Sequence, residues 1–239
     1  DAYLPTWHAQ RINGALGPEA QSAAAKAAVH AATPTVSHTD ALGRPVFTVA
    51  HNRTPSPNAP SGGPATEEFY TSRVVLDIEG NQREVYDALG RLVQTTTYNL
   101  AGTVIHTASM EAGRRWILKE VADNPRHAWD SRGHHFRTEY DDVRRPVAFF
   151  RNKGDEPEKL TGRLVYGEDL PGAEQTNLRG QLVQTFDQAS LTRNDAYDYK
   201  GNVLGSSRQF AQDYTATLDW GGDVPLETEI FAGQTRYDA

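Results

Sequence analysis

The 239-residue chain contains no cysteine. Disulfides and thiolate metal centres are therefore excluded, while the redox compartment stays open, because exported proteins without cysteine exist. Long apolar runs are missing too: nothing approaches the roughly 18 residues that a membrane-spanning helix requires. The first residues, Asp1-Ala2-Tyr3-Leu4-Pro5, lack a basic region followed by an apolar stretch. No signal peptide is visible there, so any export signal lies elsewhere. A basic excess is absent. The net charge of −7 opposes nucleic-acid binding, which demands a concentrated basic footprint. No phosphate-binding glycine loop, His-Glu-x-x-His helix or nucleophile-elbow pattern occurs. Arginine far outnumbers lysine, which reads as codon usage and not as function.

What is present is internal repetition. The clearest copies are Tyr86-Asp87-Ala88-Leu89-Gly90-Arg91 and Thr39-Asp40-Ala41-Leu42-Gly43-Arg44. Looser ones begin at Leu76, Tyr98, Trp129, Thr176 and Tyr197, and Tyr140-Asp141-Asp142-Val143-Arg144-Arg145 carries arginine where the glycine belongs. Each reads as an aromatic or apolar residue, Asp or Asn, two variable residues, Gly, then a polar residue. Asp or Asn at the first turn position accepts hydrogen bonds from backbone N–H groups further along and closes a type I turn. Glycine three residues later supplies the positive φ that returns the chain as a hairpin. Arg144 held left-handed costs about 1–2 kcal/mol, so that turn is expected to differ in shape.

The flanks Arg73-Val74-Val75-Leu76, Leu92-Val93-Gln94-Thr95-Thr96-Thr97-Tyr98 and Thr103-Val104-Ile105-His106 are rich in β-branched residues, as strands require. Glycines 80, 90 and 102 lie 10 and 12 residues apart, the length of a strand and a tight turn. Gly17-Pro18-Glu19 opens an alanine-rich run to Ala32 that predicts one short N-terminal helix. Residues 53–66, with four prolines among Ser and Gly, predict a loop, and Lys153 to Lys159 a second one. Residues 110–121 fit either a short helix or a strand. The expected division is an N-terminal segment, 1–33, and a hairpin array, 34–239. Tyr237-Asp238-Ala239 breaks off inside a repeat copy, so the array is expected to continue beyond residue 239.

The motif Tyr86-Asp87-Ala88-Leu89-Gly90-Arg91-Leu92 resembles the signature of the Rhs or YD-repeat family. Pro34 to Arg44, Ala128 to His134, Asn177 to Leu182 and Asn194 to Asn202 together resemble its B-type, virulence-plasmid toxin-like subunits of insecticidal toxin complexes. That resemblance implies a secreted β-sheet ribbon that spirals into a hollow, curved shell or cocoon. It further implies other shell segments or subunits, an enclosed and unfolded toxic polypeptide, and a pore-forming subunit as partners. The family's self-cleaving element, a paired Asp-Pro-x-Gly motif, is absent from this chain.

Each sharper candidate has a blander reading that outweighs it. Glu227-Thr228-Glu229, with Thr71-Ser72, has the Glu-x-Glu form of arginine-targeting ADP-ribosyltransferases, but the accompanying triplet is incomplete. His134-His135 with Asp130, Glu139 and Asp141 suggests metal, yet adjacent strand residues point to opposite faces. A lone histidine such as His8, beside Trp7, reads as packing. Arg144, Arg145 and Arg151 near Phe149-Phe150 form a small basic cluster that the acidic total neutralises. Strand-end Tyr and Trp residues offer a sugar-stacking surface, but packing between hairpins explains them more simply. Asn52-Arg53-Thr54 is a glycosylation sequon that matters only in a eukaryotic secretory host. The expectation is a non-catalytic shell segment with no catalytic, cofactor-binding or metal residue and no cofactor. A carbohydrate- or receptor-binding module is the alternative, and an ADP-ribosyltransferase-like enzyme the third reading.

Overall fold

The computed structural model describes residues 6–28, 32–55 and 65–238. The chain divides into two compact units, Asp1–Ala112 and Gly113–Ala239. In the first, helices α1 (Thr6–Ile12) and α2 (Pro18–Ala28) precede six strands. These are β1 (Thr35–Thr39), β2 (Pro45–Pro55), β3 (Ala65–Leu76), β4 (Gln82–Tyr86), β5 (Leu92–Tyr98) and β6 (Val104–Ser109). Each pairs antiparallel with the next in the chain. The second unit repeats this order through β7 (Gly113–Lys119), β8 (Pro125–Asp130), β9 (His134–Tyr140), β10 (Pro146–Lys153) and β11 (Lys159–Tyr166). It continues through β12 (Leu182–Phe186), β13 (Ser190–Tyr197), β14 (Val203–Phe210) and β15 (Phe231–Gln234). All its neighbouring pairs are antiparallel as well. The fold is therefore mainly β, built from tandem hairpins.

The turn chemistry sets this order. Asp87 Oδ1 accepts from the backbone N–H groups of Leu89 and Arg91, both at 2.9 Å. Gly90 N donates to the Asp87 carbonyl and Asp87 N to that of Arg91, each at 3.0 Å, with Gly90 at φ 74°. The same four bonds recur at Asp40, Asp77, Asn99, Asp141 and Asp198. A local side-chain cap thus satisfies backbone donors that a bare turn leaves to water. The chain returns beside the strand it has just left.

Several expectations change. The turn at Asp141 has the same shape as the others, and Arg144 is held left-handed at φ 67°. The capping bonds of Asp141 outweigh the strain of a Cβ in that region. The copy at Thr176 is a different structure: Asn177 Nδ2 donates to the Tyr197 carbonyl, and Leu178 closes the turn by accepting from Gln181 N. Residues 53–55 and 65–66, expected in a loop, extend β2 and β3, while 56–64 lie outside the described residues. Residues 113–119 are a strand, because Gly113 at φ 74° interrupts any helix that starts earlier. The expected helix is α2, with Pro18 at its first position; Ala32 stands beyond it at φ 60° and residues 29–31 are outside the described ones. Helix α1 has no counterpart in the sequence expectation. Gln21 Nε2 ties it to α2 by donating to the Ile12 carbonyl at 3.0 Å.

Burial is slight. Among the described residues eight apolar side chains are buried, and only Ala24 of these lies in the first unit. Four of the seven others form a cluster in the second unit, Ala173, Leu178, Val183 and Tyr197, flanked by Val165 and Val203; Leu191, Ala211 and Leu218 lie outside it. Gly167 admits it, because a Cβ there would stand 2.3 Å from the Leu178 carbonyl oxygen. Large apolar residues sit exposed on the turns, Leu42, Ile78, Leu89, Leu100 and Val121 among them. The length of the chain allows a substantial core, but the hairpin sheet leaves most of its apolar surface wet.

Arg144→Gly tests the strained turn. Removing the left-handed penalty while adding unfolded-state freedom is expected to stabilise by about 0.5–1 kcal/mol. A urea midpoint raised with unchanged slope is the expected result.

Candidate functional site

The recurring feature is a clamped turn joined to its neighbour. The polar residue after the turn glycine supplies the clamp. Arg91 Nε donates to Asp87 Oδ2 at 2.8 Å, and Arg44 and Arg145 do the same to Asp40 and Asp141. Asn81 and Asn202 reach Asp77 and Asp198 with their amides, and His134 reaches Asp130 with Nδ1 at 3.0 Å. Each carboxylate therefore spends one oxygen on the backbone and the other on a side chain. The donors hold these carboxyls below the usual aspartate range. The Arg91 guanidinium leads at Asp87, the Arg44 N–H at Asp40 and the Asn202 amide at Asp198. At Asp77, Asp130 and Asp141 partial burial pushes the other way, and the donors of the clamp more than reverse it.

The tyrosine before the turn supplies the joint. Tyr98 Oη donates to the Gln82 carbonyl at 3.0 Å, linking the turn at Asn99 to the end of the turn at Asp77. In the second unit Tyr140 donates to Pro125 O at 2.8 Å and Tyr166 to Pro146 O at 3.3 Å. Tyr197 donates to Leu182 O, and Tyr237 to Val203 O at 3.3 Å. In every case the acceptor is the first residue of the adjacent strand, just past the preceding turn on that edge. Burial pushes the phenols of Tyr140, Tyr166 and Tyr197 up, so the hydroxyl stays a donor.

Arginine has a structural use that codon bias does not explain. Beyond the clamps, Arg73 lies 4.1 Å from the Tyr86 ring, Arg137 3.8 Å from Phe150 and Arg145 3.9 Å from Tyr166. A planar guanidinium both forks onto a carboxylate and stacks on a ring, which lysine does not.

The sharper candidates are dispersed. Glu227 and Glu229 are exposed in the irregular stretch before β15, whereas Thr71 and Ser72 belong to β3 of the first unit, in register with Val49 and Thr48. His134 clamps Asp130, while His135 Nε2 stands 2.9 Å from His127 Nδ1 across the sheet. Glu139 is engaged by Arg137 and Asp141 by Arg145. His8 is buried in α1. Arg144 approaches Glu120 at 3.5 Å, Arg145 also binds Glu168, and Arg151 donates to Thr217 Oγ1 at 3.4 Å. Trp129 stacks on His135, with ring centroids 5.1 Å apart, and on His127. Asn52 lies on β2 opposite Glu68. An open concavity of about 620 Å³ over β9, β10 and β11 includes Glu139, Asp141, Phe150, Arg163, Glu168 and Asp169 in its lining, which is acidic on balance.

Sequence reasoning misses one whole turn. Glu120 to Asn124 has the same backbone bonds, with Asp123 left-handed at φ 66° and no glycine. Its signal is spacing: first turn residues 99, 120 and 141 are evenly separated.

No protein-family model matches the chain. It is similar to a toxin subunit. The YenC2 toxin subunit of Yersinia entomophaga is 27% identical over 235 residues, which cover 87% of this chain and 24% of that protein. The chain thus spans about a quarter of the curated relative's length. Among solved structures, the crystal structure of TcdB2-TccC3 matches with a TM-score of 0.76 at 23% identity, over 91% of this chain and 11% of that one. The Photorhabdus luminescens Tc holotoxin pore matches at 0.75 and 24%, over 88% and 10%. The hairpin sheet is accordingly a fold found in Tc toxin structures.

Two outcomes follow from the clamp and the joint. Tyr197→Phe is expected to destabilise by about 1 kcal/mol, since a buried carbonyl and the Asn194 amide lose a partner. Thermal unfolding beside Tyr237→Phe, whose phenol is half exposed, checks the ranking. The clamped carboxyls have depressed folded values, so their stabilisation is complete above about pH 3.9 and is lost as pH falls through the lower folded values. Asp87→Asn keeps a capping oxygen and removes the titration. Its urea midpoint is expected to fall less in acid than that of the native chain.

Proposed function

We propose that this chain is a non-catalytic wall segment of a secreted toxin-complex protein. In this reading residues 34–239 form an Rhs-type hairpin array of the B-type toxin subunits. With further segments the array encloses a toxic polypeptide and delivers it to a pore-forming subunit. The observation that carries the reading is the construction of the sheet. Clamped turns, with tyrosine joints at five of the strand edges, hold the hairpins together without a deep core, and a wall needs breadth more than depth. Neighbouring strands satisfy the backbone, so such a sheet extends with little cost in unpaired polar groups. The likeness to YenC2 and to Tc toxin folds supports the same reading. Among the described residues no helix is long and apolar enough to cross a membrane.

Protease protection of an internal polypeptide tests the wall. In the whole parent protein, an enclosed segment is expected to survive protease until clamp variants such as Asp87→Ala combined with Asp141→Ala open the sheet. Equal cleavage in the native and altered proteins would sink the proposal. NAD turnover by the native chain, lost in Glu229→Gln, would favour an enzyme instead; none is expected.

A further inference from the structure

We infer that His127, His135 and Asn152 form a proton-ordered chain that ties β8, β9 and β10 together at neutral pH and lets them part when both imidazoles are protonated. This rests on the geometry of the second unit alone and not on what the sheet encloses.

The order of the protons follows from one fixed amide. Asn152 Nδ2 donates to the Gly154 carbonyl at 3.2 Å, which turns its Oδ1 toward His135 Nδ1, also at 3.2 Å. An amide oxygen only accepts, so His135 Nδ1 carries the hydrogen. His135 Nε2 is then a lone pair. It stands 2.9 Å from His127 Nδ1, which must donate. The two rings have centroids 5.2 Å apart and planes 12° apart, the geometry of an in-plane N–H···N bond. Trp129, directly opposite His135 in register, lies within 7° of its plane and covers the pair. His135 is in turn directly opposite Asn152 on β10. The links thus run across three strands in a row.

A first proton leaves the chain intact, because one hydrogen still lies between His127 Nδ1 and His135 Nε2 whichever ring carries the charge. A second proton puts a hydrogen on both facing nitrogens, His127 Nδ1 and His135 Nε2. Two donors and two positive charges then face each other at hydrogen-bond distance, and attraction becomes repulsion. The surroundings matter to this balance. Arg126 neighbours His127 on β8, Arg137 opposes it from β9, and Glu158 stands in the turn before β11. Leu118 on β7 contributes no charge, and His134 is occupied by Asp130. Burial, then His135, Arg137 and Arg126, push the His127 imidazole down, against Glu158. A depressed folded value means that this stabilisation is complete above the ordinary histidine value of about 6.5 and is lost as pH falls through the folded one. It acts well above the window of the turn carboxylates.

Long-range proton–nitrogen NMR of the imidazoles in the full chain, from about pH 8 to about pH 5 across the ordinary histidine range, reads the order directly. The expected spectrum has neutral His135 and neutral His127 both protonated at Nδ1, and the pair takes its two protons in separate steps. Asn152→Asp is expected to raise the pH at which the pair takes its first proton, because a carboxylate favours a cation beside it. The urea midpoint of the native chain should fall over the same range, and fall less in His127→Gln. Independent titration of the two rings overturns the inference, as does a first step left at the same pH in Asn152→Asp. If His127→Gln does not fold, the native spectrum alone decides.

Discussion

A carboxylate or amide oxygen accepting two backbone N–H groups of its own turn is the bond on which the sheet rests. Where Asp87 or Asp141 makes it, the strand that follows has no choice but to run back beside the strand before. Hairpin follows hairpin, and strand order within each unit becomes chain order. The guanidinium or amide one residue after the turn then holds the second oxygen, so the cap is fixed in rotamer as well as in place. Arg144 shows how strong the constraint is. A side chain ill suited to the left-handed region occupies it because the oxygen of Asp141 demands that backbone.

The turns alone would give a row of separate hairpins, each marginal in water. Tyrosine converts them into one edge. Its ring lies over the neighbouring strand and its hydroxyl closes on a carbonyl just beyond the previous turn, as Tyr140 does on Pro125. Proline suits that acceptor position, since it opens a strand without needing a partner for an N–H. The aromatic before the aspartate and the proline after the turn therefore belong to one device, shared between adjacent hairpins. The second unit adds a small core around Leu178 and Tyr197, where the joint is also the best buried. The proposed wall role agrees with the slight core and with the likeness to YenC2.

Much of this is legible in the sequence, for a physical reason. Asp or Asn followed three residues later by Gly names both the cap and the left-handed position, so most turns can be read residue by residue. The Glu120 turn cannot, because glutamate does not cap it and Asp123 stands where glycine would. Asn177 carries the right residue type but serves Tyr197, a contact that depends on an insertion packed against Gly167. The seven residues of α1 are too few for a helical period to show. Histidine is the clearest lesson about sites. The adjacent pair His134-His135 draws the eye, yet His135 meets His127, eight residues away, because a tight turn sets β8 against β9.

The tyrosine joints also fix how the sheet answers a mechanical load. Each one bridges only neighbouring turns, and each turn closes on itself, so tension applied at one end does not spread through a common core. The strands should peel away hairpin by hairpin, each clamp opening in turn, with a phenol bond to break as well where a tyrosine joint stands. Stiffness along the edge and ease of unzipping from an end are then two aspects of the same short-range bonding.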